Sequence, residues 1–104
     1  MITDYDERQL SNMRQQIGRF RNDPVSLDSV DELRVGIPSL LACFESLDKG
    51  WMEEVRTQRN QLELVYACVV GDRRTELSED DRKLVDEAVR KIENLLAAPK
   101  EALA

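Results

Sequence analysis

Carboxylates are the only abundant groups in this chain able to do acid–base or metal chemistry: 21 Asp and Glu stand beside 15 Lys and Arg, and there is no His. Without His the usual general base at neutral pH is missing, and Ser-His-Asp and Cys-His arrangements are ruled out. Metal binding would need inward-facing acids at helical spacing. A di-iron bundle requires Glu-x-x-His and an EF-hand an acidic loop of about twelve residues with a central Gly; neither occurs, and no Gly-rich phosphate loop does either. Glu53, Glu54 and Glu63 share one helical stretch and could line a site, but acids on the outside of a helix are solvated far more often than catalytic. No metal and no cofactor is expected.

The two thiols, Cys43 and Cys68, sit in separate apolar runs without CxxC spacing, and they read as buried thiols. A bond between them requires that their helices touch and that the compartment be oxidising, so it stays open. Trp51 and Tyr66 could stack a base or sit in an interface. As the bulkiest residues of an aliphatic stripe they read as core, with the Tyr66 hydroxyl at the edge. Arg14, Arg19 and Arg21, with Arg73 and Arg74, are the basic clusters; acids surround them and no aromatics interleave, so nucleic-acid binding is not expected.

The elements that must position these groups are organised around Trp51 to Val70. There Trp51, Val55, Leu62, Val65 or Tyr66, and Val69 recur at helical steps, with no Gly or Pro between them. Before it, Leu10, Met13, Ile17 and Phe20 mark a first helix over about 4–22, capped at Thr3 and stopped by Asn22-Asp23-Pro24. A second helix over 27–48 follows from Ser26 or a Ser29–Glu32 capping box, its stripe being Val30, Leu33, Ile37, Leu40 or Leu41, Phe44 and Leu47. Pro38 lacks the N–H that would bond the Arg34 carbonyl, which predicts a kink near Gly36. Asp48-Lys49-Gly50 is a short turn, with Gly50 available for a left-handed conformation, so the helices on either side of it are antiparallel neighbours. After the polar loop Gly71 to Glu76, Ser78 and Asp81 start a last helix over 79–97. Its stripe is Leu84 or Val85, Ala88, Val89, Ile92, Leu95 and Leu96, and Lys100 to Ala104 should fray. The expectation is an all-α, antiparallel four-helix bundle-like single domain over 1–104.

Charged residues make up 35% of the chain and aromatics 5%, which suits solvated helices better than sheets. The formal charge of −6 repels phosphate backbones and anionic membranes, so its natural complement is a basic partner; it also serves solubility alone. The N-terminus carries acids where a signal peptide needs bases, and no apolar run approaches a membrane span, which places the protein in the cytoplasm.

The stretch from Ser26 to Leu96 resembles a family of small helical immunity proteins from bacterial contact-dependent growth inhibition and related polymorphic toxin systems. The resemblance rests on Ser26-Leu27 entering a Leu-rich helix, on Leu47-Asp48-Lys49-Gly50-Trp51-Met52-Glu53-Glu54-Val55, and on Leu62-Glu63-Leu64-Val65-Tyr66-Ala67. The start Leu77-Ser78-Glu79-Asp80-Asp81 and the later Val85-Asp86-Glu87-Ala88 complete it. The chain departs from the pattern at Pro38 and Arg59, where an uninterrupted helix and a second aromatic are expected. The resemblance implies a non-enzymatic protein that binds and neutralises one cognate toxin domain, a nuclease for example, by occlusion. The acids near the turns, Asp48, Glu53, Glu54, Asp72 and Glu76, are the candidate contacts. From other classes, the alternatives are a structural or regulatory subunit that self-associates as a homodimer, and a carboxylate metalloenzyme.

Overall fold

The computed structural model describes residues 2–22 and 25–102. Four helices follow one another: α1 (Asp4–Asn22), α2 (Leu27–Leu41), α3 (Lys49–Gly71) and α4 (Glu79–Ala97). Each packs on the next and α1 closes on α4, giving an all-α antiparallel bundle about 46 Å long. Among the described residues there is no strand, only a single antiparallel bridge between Leu47 and Glu101.

The periodic stripes are what drives the helices together. Leu10, Met13, Ile17 and Phe20 of α1 are buried, as are Val30, Leu33, Ile37 and Leu41 of α2. Trp51, Val55, Leu62, Val65 and Val69 of α3 meet Val85, Ala88, Val89, Ile92 and Leu96 of α4 in the same cluster. Where the stripe offered two candidates, Leu41 and Val85 are buried, Leu40 and Leu95 half-buried, and Leu84 is 50% exposed. Tyr66 is half-buried, while Trp51 is 4% exposed.

Three expected boundaries are corrected. The second helix stops at Leu41 rather than Asp48, because the next backbone donors find better acceptors. The N–H groups of Glu45 and Ser46 turn to the Asp6 carboxylate, and that of Asp48 turns to the Lys100 carbonyl. Lys100 does not fray: its carbonyl takes the Asp48 N–H at 2.8 Å, and the Ala102 N–H donates to the Ser46 carbonyl at 2.8 Å. Leu103 and Ala104 lie outside the described residues, as do Asp23 and Pro24 of the expected first stop. Finally, Gly50 adopts no left-handed conformation; it lies in the first turn of α3, which Asp48 caps by accepting from the Trp51 N–H at 2.9 Å.

Caps set the other ends. The capping box of α2 joins Ser26 to Ser29 rather than Ser29 to Glu32, while that of α4 joins Ser78 to Asp81 as the spacing predicts. Helix α3 ends in a Schellman motif, in which Arg74 N donates to the Val69 carbonyl at 2.9 Å and Arg73 N to that of Val70 at 3.0 Å. The left-handed position falls on Arg73 (φ 58°), one residue beyond the C-cap, because Gly71 is still helical.

Candidate interaction surface

The structure splits the five candidate contact acids between the two ends of the bundle. Asp48, Glu53 and Glu54 stand at the start of α3, and Asp72 and Glu76 beyond its end. The length of α3 between Glu54 and Asp72 puts at least about 27 Å between the groups at 1.5 Å per residue. They form no single patch. The Asp48 side chain is engaged in capping α3. Glu53 is exposed and pairs with Arg56 at 2.6 Å, and Asp72 lies 3.6 Å from Arg74. Glu54 and Glu76 are exposed acids with no ion pair among the described residues.

One acid is the most embedded polar group among the described residues. Asp6, in the first turn of α1, is 0% exposed. Its carboxylate accepts from Glu45 N at 3.0 Å, from Ser46 N at 2.6 Å and from Ser46 Oγ at 2.6 Å. Ser46 Oγ in turn receives the Thr3 N–H at 3.2 Å, and Thr3 Oγ1 caps α1 by accepting from Asp6 N at 3.1 Å. Burial disfavours the charge, but the hydrogen bonds from Ser46 and Glu45 outweigh it and hold the carboxyl below the ordinary aspartate range. The nearest signal in the sequence was Thr3 with Asp6 three residues on; it indicates a cap and says nothing of a partner 40 residues away.

At the same end Trp51 donates its indole N–H to the Leu95 carbonyl at 3.0 Å and meets Phe44 edge-to-face at 6.0 Å. Arg14 reaches the Leu96 carbonyl at 2.6 Å. The last turn of α4 is therefore capped by side chains of α1 and α3, which settles two of its orphan carbonyls.

Between α2 and α3 runs a half-buried polar seam. The Arg34 guanidinium lies 3.9 Å over the Tyr66 ring and pairs with Asp31 at 2.7 Å and Glu63 at 3.1 Å. Pro38 sits inside α2 and frees the Arg34 carbonyl; Arg59 Nε fills that vacancy at 2.8 Å while its guanidinium also reaches Glu63 at 3.3 Å. Pro38 and Arg59 are thus joined in one interaction. Glu63 is held between two arginines, an arrangement suited to joining helices rather than to proton transfer.

Three arginines of the basic clusters are also engaged, while Arg19 and Arg73 are exposed with no ion pair among the described residues. Arg14 is a cap, and Arg21 forks between Asp86 and Glu93, the latter at 2.7 Å. Arg74 pairs with Asp81 at 2.8 Å. The neighbouring Arg21 holds the Asp86 carboxyl below its ordinary range, with Arg90 adding to it, and the Ser78 backbone N–H does the same for Asp81, helped by Arg74. Both thiols are free and exposed, which corrects the expectation that they are buried. Among the described residues no three Cys, Asp or Glu side chains converge to hold a metal ion, and no helix is long and apolar enough to cross a membrane. Among the described residues the surface presents unpaired acids and bases and shallow grooves between helices. The chain matches no family model, no curated protein and no solved structure.

Proposed function

We propose that this protein is an immunity-type inhibitor that binds one cognate toxin domain, a nuclease for example, and neutralises it by covering its working surface in the cytoplasm of the producing cell. It carries out no catalysis. The observation that carries this reading is the excess of acids over bases, 21 against 15. Five arginines, Arg14, Arg21, Arg34, Arg59 and Arg74, are held in internal hydrogen bonds or ion pairs, and Glu54 and Glu76 are exposed acids that enter no ion pair among the described residues. The net charge of −6 makes the long-range field attractive to a basic surface. A nuclease domain must be basic to grip phosphates, so complementary potentials steer the two together and raise the rate of encounter. The resemblance of residues 26–96 to helical immunity proteins points the same way.

The test is a calorimetric titration with the C-terminal domain of the toxin encoded immediately upstream. Binding in the nanomolar range that weakens as salt screens the charges is the expected result. No heat of binding at micromolar concentrations of both proteins overturns the reading. One observation favours self-association as a second reading: Val35 is 55% and Leu64 58% exposed, with Val70 and Leu84 about half exposed as well. Sedimentation at several protein concentrations separates the two, since a concentration-independent monomer removes the second.

A further inference from the structure

Beside the candidate acids lies a feature that the sequence did not announce, a groove along the outside of α3 and α4. Glu54, Gln58 and Gln61 stand four and three residues apart on one wall, and Leu84, Lys91 and Asn94 line the other. Two open depressions of about 460 and 200 Å³ share Gln58 and Lys91, so they are continuous. The floor is low there because Ala88, 2% exposed, puts only a methyl group between the helices. The rise of α4 from Leu84 to Leu95 makes the trough roughly 16 Å long, room for about four or five residues of extended chain at about 3.3 Å each.

The lining has an uneven state of satisfaction. Lys91 is neutralised by Glu87 at 3.2 Å, whereas Glu54 has no cation among the described residues. The side-chain amides of Gln58, Gln61 and Asn94 enter no hydrogen bond among the described residues, so three donor–acceptor pairs face the trough unengaged. At the far end Leu84 is 50% exposed. We propose that this α3–α4 groove seats an extended, Lys- or Arg-bearing segment of a basic protein partner, whose cation pairs with Glu54 while Gln58, Gln61 and Asn94 bond its backbone. The inference rests on reading the protein as the acidic member of a complex, and the charge of −6 selects the sign of the partner.

Side-chain amide signals give a direct readout, because the chain carries a second set of amides on α1 at Gln9, Asn12 and Gln15 that lies outside the groove. Nitrogen-15-labelled protein is titrated separately with hexalysine and with the upstream toxin domain. In both titrations the signals of Gln58, Gln61 and Asn94 should shift first while those of α1 stay in place. Glu54→Lys should weaken both interactions at least tenfold, and Gln58→Trp, which fills the trough while keeping the Glu54 charge, should do the same with the helical spectrum unchanged. Toxin binding that moves the α1 amides instead overturns the groove and leaves the inhibitor reading intact. Hexalysine seated in the groove with no binding of the toxin domain does the reverse. Uniform, weak shifts with hexalysine, insensitive to Glu54→Lys, also overturn the groove.

Discussion

The two ends of the bundle are closed by different means. Where α1 begins and α4 ends, polar contacts beyond the local caps of Thr3 and Asp48 join residues 39 or more positions apart: Asp6 to Glu45 and Ser46, Trp51 to Leu95, Ser46 and Asp48 to the segment 100–102. Where α3 gives way to α4, they join residues within about a turn or two of one another: the Schellman bonds of Arg73 and Arg74, the Ser78–Asp81 box, Arg74 to Asp81. The first end fixes the topology, since its bonds exist only when all four helices are in place. The second fixes local direction and would form in a fragment. Chain-distant bonds should therefore carry most of the cooperativity, and the mutations that test this can be ranked.

The largest effect is expected at Asp6. Asp6→Ala leaves the buried N–H groups of Glu45 and Ser46 without acceptors, a loss of about 3 kcal/mol, and for a domain of this size a fall in Tm on the order of 15 °C in a thermal melt. A fall no greater than that of an exposed substitution would break the contrast between the ends. Acid titrates the same contacts. Because the Asp6, Asp81 and Asp86 carboxyls are depressed in the fold, the native state binds fewer protons than the unfolded chain. Their contribution is present above the unfolded value, about 3.9, and lost as pH falls through the folded ones, so urea midpoints should be flat from about pH 7 to 5 and drop below about pH 4.

Ending the chain at Pro99 removes two backbone hydrogen bonds from the tied end and should cost roughly 1–2 kcal/mol in the same urea assay. The α2–α3 seam supplies a pairwise test. Arg59→Ala alone should lose about 1 kcal/mol by orphaning the Arg34 carbonyl, and far less in a Pro38→Ala background, where the helix supplies its own N–H. Equal losses in both backgrounds would show that Arg59 does not serve the proline's vacancy. At the local end the sign reverses. Arg73→Gly relieves a left-handed conformation that glycine adopts freely and should stabilise by about 0.5 kcal/mol, with no change in the unfolding slope.

The same division governs what could be read from the sequence. The four apolar stripes and the Ser78 box obey rules that operate within one or two turns, and the structure has them, save that Phe44 and Leu47 lie beyond the end of α2. The end of α2 was illegible because a carboxylate at residue 6 captures the donors near residue 46, and no local propensity encodes that. The pairing of residues 100–102 was missed for the same reason. The exposure of Cys43 followed from the early end of α2, while that of Cys68 turns on a rotation of α3 that composition does not fix. Among the candidate contacts, the turn positions of the acids were legible, but their separation along α3 required the fold. The groove amides are spaced like any solvated helix face, so only the small floor at Ala88 and the approach of α4 distinguish them.

Trp51, the single tryptophan of the chain, has its indole N–H bonded to the last turn of α4, so the molecule carries a fluorophore built into its tied end. Water reaching that indole would redden and dim its emission before helix content changes. The two closures can thus be followed separately in one cuvette, one by light emitted and the other by circular dichroism.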